Sequence, residues 1–408
     1  MTVTTTQTAA GQADPVPGLR GLLNRLHVQA TGPWNKDALA LVVLAGLLLA
    51  LGLLMSLSAS FVADARDGDA FTTFQGQLRY AILGLALFAV TASLDHRVWR
   101  LLSWLMMLVS LVTLAMVIVP GVGYTQFGAT RWLAVGPVIV QPSELAKLST
   151  LLWLADVHQR KRMMARTGEL TIRHLLIPAL PVFFVQALLV MLEPDLGTTL
   201  LLALIVCLVL WLEGIPGRFV GVIAVVGAAL TAAAIATAGY RVARITGWLH
   251  PEADPLGSGY QLLQSLYALG EGGWFGTGLG ASRGKWDFIP NPETDFIFAI
   301  IGEELGLIGA LTVVALFTGV LVVGLRIART TPDRFGRLVA GVLTAWLVGQ
   351  AFINIGTVTG LLPITGVTLP LVSVGGSSLI STLVAFGILT SIARSRPTAA
   401  PSRTEAPA

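Results

Sequence analysis

Charge is scarce in this chain. Asp, Glu, Lys and Arg make up 12% of its 408 residues, against 54% apolar residues, which lies outside the range of soluble globular domains. Cysteine is almost absent: Cys207, between Val206 and Leu208, excludes an intrachain disulfide or a thiolate metal centre and reads as a packing residue. The five histidines (His27, His96, His158, His174 and His250) are too scattered to form a ligand cluster. The first 35 residues hold no apolar h-region, so the first span is expected to direct insertion in place of a cleaved signal. Short alternating segments of the β-barrel kind are missing as well. The excess of basic residues gives a formal charge of +4. Those residues are dispersed over loops without interleaved aromatics, which speaks against a nucleic-acid partner.

What the chain does have is long apolar runs. Several reach the roughly 20 residues that a helix needs to cross about 30 Å of hydrocarbon, and only helices satisfy every backbone polar group within such a segment. The expected fold is therefore an all-α polytopic membrane protein. Its windows fall near 37–61, 77–94, 98–119, 142–158, 174–192, 196–213, 217–239, 296–325, 337–360 and 370–393. Ten spans place both termini on one side. With the N-terminus inside, 18 of the 26 basic residues lie on cytoplasmic segments, and the positive-inside rule favours that orientation. A large extracytoplasmic loop, 240–295, then joins spans seven and eight. It carries the glycine clusters Gly270–Gly273 and Gly276–Gly280 together with Tyr260, Tyr267, Trp274, Phe275 and Trp286, a composition suited to packing on the bilayer surface. Residues 1–36 and 395–408 read as disordered cytoplasmic tails flanking a membrane domain at 37–394.

Ionisable groups at membrane depth face protein or water. Glu144 and Lys147 stand three apart on one face of the fourth span and can neutralise each other, as a structural pair or as part of a site. Arg79 can snorkel outward or enter a polar cavity, whereas Asp156 is expected to be solvated at the cytoplasmic end. In LEPDLGTT, Asp195 is placed to cap the sixth span. Glu303 and Glu304 suggest a buried polar network or a helix interrupted at Gly302. Pro363, Gly366, Pro370, Gly375 and Gly376 break regular helix, and that bend is expected to line a cavity.

Four long motifs occur in order: GATRWLAVGPVIVQPSELAKL, EPDLGTT, the stretch GSGYQLLQSLYALGEGGWFGTGLGASRGKWDFIPNPETDFIFAIIGEELGLIGA, and NIG with GLLPITGVTLPLVSVGGSSLI. In these the chain resembles the SEDS family of peptidoglycan glycosyltransferases over roughly residues 37–394. The S-x-x-K element at Ser282 to Lys285 and the TLP at Thr368 to Pro370 resemble the cell-division branch more than the elongation branch. Glu293 and Val374 depart from the family pattern, and Gly76 stands where the family has a basic residue.

The resemblance implies polymerisation of lipid II into β-1,4 glycan strands, with release of undecaprenyl diphosphate, at the septum of the bacterial plasma membrane. It implies a class B penicillin-binding transpeptidase and other division proteins as partners. It also implies Asp295 as the base that takes the proton of the attacking sugar hydroxyl, although an aspartate at this position could equally be an N-cap. Arg131, Lys147, Arg244 and Lys285 match family positions suited to the diphosphate. Gln264 and Ser265 are candidates for sugar contacts, and Glu144, Glu303, Glu304 and Ser377 for support. No cofactor is built in. A divalent cation, Mg or Mn, could assist the leaving group, but no carboxylate cluster marks a site for it. The rival functions are lipid II flipping, a non-catalytic scaffold for the transpeptidase, and the same polymerisation in elongation.

Overall fold

The computed structural model describes residues 32–395 except 67, 127, 137, 165–171 and 237–238. The expected tail segments 1–31 and 396–408 lie outside the described residues. Among the described residues, ten long helices follow the ten apolar windows: α1 (Lys36–Arg66), α2 (Thr72–Ser93), α3 (His96–Ile118), α4 (Pro142–Met164), α5 (Ile172–Leu192), α6 (Leu196–Leu212), α7 (Gly217–Ala236), and, after two shorter helices, α10 (Ile297–Thr330), α11 (Arg334–Val358) and α12 (Gly376–Arg394). Eight of these are long and apolar enough to cross a membrane, and α6 is a shorter apolar helix. The remaining one, α4, carries Glu144, Lys147, Asp156 and His158, yet buries all four. Other protein, in place of lipid, solvates its polar groups.

Burial orders the bundle. The most apolar window of α12 is 83% buried and that of α11 67%, whereas α7 buries none of its own. The small residues of α12, in GSSLISTLVAFGILTSIAR, allow neighbouring backbones to approach closely, as membrane helices require when no hydrophobic force drives them together. Accordingly, Gly387 lies against Thr91 and Phe88 of α2. The end of the expected N-terminal tail is tied to the same helix: Asn35 caps α1 through Ala38 N at 2.9 Å and donates to the Ala393 carbonyl at 2.5 Å. Residues 32–35 thus belong to the bundle.

Between α3 and α4 the chain forms a small antiparallel sheet that the apolar windows do not foreshadow. Its strands are β1 (Gly123–Gln126), β2 (Ala129–Val135) and β3 (Val138–Val140), in that order, with Gly123 opposite Leu133 and Leu133 opposite Val140. The large loop contains α8 (Gly239–Leu249), α9 (Tyr260–Gly272) and one π-helical turn at Gly284–Phe288. Its Trp274, Phe275 and Trp286 are exposed, as befits aromatics at a bilayer interface.

Helix α10 breaks at Gly306 (φ 67°, ψ −167°) and runs unbroken through Gly302, where the sequence suggested the interruption. The glycine-rich segment of the loop repairs the break. Thr277 N and Gly278 N donate to the carbonyls of Glu303 and Glu304 at 2.9 and 3.1 Å, and Leu307 N donates to Gly273 O at 2.9 Å. Buried backbone groups freed by a kink need such partners. Gly276, itself at φ 80°, packs against the Glu304 carbonyl where a Cβ could not fit. The glycines are therefore needed for close approach and for left-handed backbone.

Candidate functional site

Just below that repaired kink, two adjacent carboxylates clasp the loop. Glu303 accepts from Ser282 Oγ at 2.6 Å, Arg283 N at 2.5 Å and Gly284 N at 3.3 Å. Glu304 accepts from Ser58 Oγ at 2.7 Å, from Ser282 N at 3.3 Å and from Lys285 Nζ at 3.5 Å. Lys285 also donates to the Gly280 carbonyl. The expected network at Glu303 and Glu304 thus holds the S-x-x-K turn against α1 and α10. Lys285, buried and paired, lines a cavity of about 340 Å³ with Phe61, Val62, Ala65, Arg66, Gly280 and Trp286.

The loop then turns through Glu293 and Asp295 into α10. Asp295 does not cap the helix: α10 follows Phe296 without a side-chain cap, and Asp295 Oδ1 accepts instead from Thr294 Oγ1 at 2.7 Å. Its residue is half-buried and its Oδ2 faces Gly366 in the broken segment before α12. Loss of hydration pushes the Asp295 carboxyl above the usual carboxylate range, opposed by the Thr294 hydrogen bond and, among charges, by Arg244 of α8. Desolvation and a nearby cation are the two opposing influences that tune a catalytic acid or base. Arg244 is exposed, and its side chain makes no hydrogen bond among the described residues.

Two polar residues one turn apart on α11, Gln350 and Asn354, join this region to the charged pair on α4. Asn354 Nδ2 donates to the backbone carbonyls of Asp295 and Val367, both at 2.8 Å. Gln350 Nε2 donates to the Thr368 carbonyl at 3.0 Å, and its oxygen accepts from Lys147 Nζ at 3.2 Å and Trp346 Nε1 at 2.9 Å. Lys147 lies 2.8 Å from Glu144 and sits 5.1 Å from the centre of the Trp346 ring, while Ser381 Oγ donates to the other Glu144 oxygen at 2.6 Å. The two side chains are therefore paired and buried. Gln350 and Asn354 were not singled out by the sequence reading. Their signal was amide side chains at i and i+4 in an otherwise apolar window.

Other candidates are placed differently from expectation. Arg131, on β2, donates from Nε to the Glu193 carbonyl at 2.9 Å and from Nη2 to the Pro194 carbonyl at 2.8 Å, so it braces the turn between α5 and α6. Lys147, 1% exposed, has no open face for a diphosphate. The hydroxyl of Ser265 is buried and donates to the Val358 carbonyl at 2.8 Å, which anchors α9 to α11 and takes it out of reach of a sugar. Gln264 beside it is half-buried. Ser377 accepts from Gln141 N at 2.9 Å and donates to Ile139 O at 3.1 Å, stitching α12 to β3. Arg79 is exposed. Asp156, expected in solvent, is 0% exposed because Arg100, Arg160 and Trp104 surround it. Two of the three departures from the family pattern meet, Val374 N donating to Glu293 O at 2.9 Å.

Asp195 caps α6 as expected, accepting from Thr198 N at 3.0 Å and Thr198 Oγ1 at 2.8 Å, with Gln141 Nε2 at 3.4 Å. Its neighbour Glu193 is 1% exposed, and neither carboxylate oxygen has a partner among the described residues. Burial, with the Asp195 charge adding to it, pushes this carboxyl up from 4.5 to about 8, so it is protonated near neutrality. A raised carboxyl lets the folded state hold a proton that the unfolded chain has released, so Glu193 lowers stability progressively as pH rises from about 4.5 to about 8. Glu193→Gln is expected to melt a few degrees above the parent at pH 8 and to match it near pH 4. Thermal unfolding in detergent across that range checks this, and identical pH profiles for the two proteins would refute it.

No three His, Cys, Asp or Glu side chains are grouped as a metal site would need, among the described residues.

Residues 38–398 match the family of cell cycle proteins that comprises FtsW, RodA and SpoVE. The chain is 42% identical over 363 residues to the probable peptidoglycan glycosyltransferase FtsW of Mycobacterium tuberculosis, covering 88% of this chain and 68% of that protein. It is 40% identical over 357 residues to the stage V sporulation protein E of Bacillus subtilis, covering 87% and 96% respectively. A chain from a solved peptidoglycan synthase complex that coordinates polymerization and crosslinking superposes with a TM-score of 0.71 at 32% identity, over 88% of this chain and 98% of that one. With the matched segment running from the first long helix to the last, this chain is a membrane protein that belongs to the FtsW/RodA/SpoVE family of cell cycle proteins.

Proposed function

We propose that this chain is a peptidoglycan glycosyltransferase of the division type, polymerising lipid II into β-1,4 glycan strands at the septum. The observation that carries the reading is the setting of Asp295. A half-buried carboxyl with raised proton affinity stands where the large loop, α10 and the broken segment before α12 converge, with Arg244 as its nearby cation.

Asp295 takes the proton from the GlcNAc 4-hydroxyl of one lipid II as that oxygen attacks the anomeric carbon of the lipid-linked MurNAc on the growing strand. The new glycosidic bond forms as the bond to the diphosphate breaks, and configuration inverts from α to β. Undecaprenyl diphosphate departs with the electron pair, and the proton ends on Asp295. Arg244 is exposed and able to meet the diphosphate bidentately. Lys285, at the wall of the neighbouring cavity, is a second cation for it once its pairing with Glu304 loosens. Asn354 holds the backbone carbonyl of Asp295, Gln350 with Lys147 and Glu144 behind it holds the facing segment at Thr368, and Gln264 remains the candidate for a sugar hydroxyl.

In this reading the chain has ten spans with both termini in the cytoplasm and residues 240–295 outside. A class B penicillin-binding protein is its partner. The likeness to a chain of a synthase complex supports that pairing, and other division proteins and membrane lipid complete the surroundings.

The test is reconstitution of the purified chain in liposomes, with and without the transpeptidase, followed by addition of lipid II. Glycan strands that a muramidase digests are the expected product. Transbilayer movement of lipid II without strands would assign the chain to flipping instead.

A further inference from the structure

At the end of the bundle away from Asp295, the structure holds a second charged constellation that polymerisation does not use. A cavity of about 260 Å³ is lined by Arg97, Arg100, Leu101, Arg160, Asp333 and Phe335. Behind it lies Asp156, 0% exposed, which accepts from Arg100 Nε at 2.7 Å through one oxygen and from Arg160 Nε at 2.6 Å through the other. Trp104 Nε1 donates to the same carboxylate at 2.9 Å. The buried carboxylate thus orients two guanidinium groups by their inner nitrogens. The terminal nitrogens of both have no partner among the described residues, and their side chains are 28% and 50% exposed. Arg97 is exposed and forms no side-chain hydrogen bond among the described residues.

The opposing charges are accounted for. Asp333 lies on the cavity wall, but its Oδ2 accepts from Gly336 N at 2.8 Å and lies 3.1 Å from His96 Nε2. Asp95, 3.2 Å from His96 Nδ1, accepts from Arg97 N at 2.8 Å. The lining of the cavity thus holds three arginines and one carboxylate, Asp333, and is net positive, with Asp156 behind two of the arginines and Asp95 turned toward His96. Guanidinium groups with free terminal nitrogens held in fixed planes match phosphate oxygens.

The surface next to the cavity points to the source of that phosphate. Leu101 is part of the cavity wall, and Leu101, Trp104, Leu105 and Leu108 continue from it along one face of α3, each 51–59% exposed. A soluble anion has no use for such a ridge, whereas an acyl chain would lie along it. We propose that this cavity binds the phosphate of an anionic phospholipid in the adjacent leaflet, with its acyl chains against the exposed face of α3. Basic pockets between helices at a membrane surface recognise lipid headgroups in this way.

The experiment uses the full chain in nanodiscs and measures retention of phosphatidylglycerol against phosphatidylcholine by native mass spectrometry. The parent is expected to prefer phosphatidylglycerol, and Arg97→Ala with Arg160→Gln to reduce that preference roughly twentyfold, as expected for two surface arginines. Arg97→Ala alone, at an exposed side chain without hydrogen bonds, keeps the fold and is expected to reduce the preference roughly fivefold, about the square root of the double change. Equal retention of both lipids by the parent, or an unchanged preference in both variants, overturns the proposal. Displacement of the bound lipid phosphate by millimolar inorganic phosphate, with no preference between the lipids, identifies a soluble anion as the occupant and overturns the lipid assignment.

Discussion

Asp295→Asn is expected to leave the protein folded in the membrane and to reduce strand formation from lipid II by about 10²–10⁴-fold, the range for loss of a general base. Asn keeps the size of the side chain and can still receive the Thr294 hydroxyl, which lies 2.7 Å from Oδ1. It cannot take a proton. The backbone carbonyl of residue 295 still receives Asn354 Nδ2, so the local chain path is preserved. The pH profile separates this role from a structural one. Burial raises the Asp295 carboxyl above the ordinary value of 3.8, and a base works only when deprotonated, so the parent's rate should climb as pH rises through that elevated value. The residual rate of the Asn variant should lack this limb. Strand synthesis by the variant at the parental rate, on protein shown to be folded by its melting curve, would end the assignment of Asp295 as base.

Lys147→Met should be the most destabilising of the single changes considered. It leaves Glu144, 7% exposed, without its cation at 2.8 Å, and leaves the Gln350 oxygen with only Trp346 as donor. Breaking a buried pair in this way costs about 3–5 kcal/mol, because the remaining charge is stranded. The double change Glu144→Gln with Lys147→Met should recover much of that loss, since replacing both charges by neutral groups of similar volume is close to neutral. Melting temperatures of the three proteins in one detergent give the comparison. A single variant as stable as the parent would show that Glu144 takes up a proton or finds another donor. The pair also supports the segment that carries Thr368, through Gln350, so the double variant tests whether the charges themselves matter to strand synthesis once the fold is restored.

The local chemistry of several residues was legible in the sequence. Glu144 and Lys147 at i and i+3 on a helix could neutralise each other, and they pair. Asp195 before α6 had the form of a cap and acts as one. Asp156 was misread because nothing in its own neighbourhood tells of Arg100, 56 residues away, or of Trp104. Ser265 was misread for the same reason: a serine in a loop looks available until α9 docks on α11 and its hydroxyl is taken by Val358. The break at Gly306, four residues from the expected Gly302, depends on where the Gly273–Gly278 segment can reach the helix backbone, which is a matter of packing.

The sequence by itself determined that this chain lives in a bilayer. Long apolar runs and sparse charge leave no soluble alternative, and helices are what such runs must form where water is absent. Its motifs likewise marked Asp295, the Glu303–Glu304 pair and the glycine-rich loop as the places to look. Only the tertiary structure decided which charges are available. Lys147 and Arg131 are committed to Glu144 and to the turn carbonyls, whereas Arg244 is exposed beside Asp295. The physical reason is that a charge at membrane depth takes its partner from whichever helix packs beside it, and that neighbour is remote in sequence.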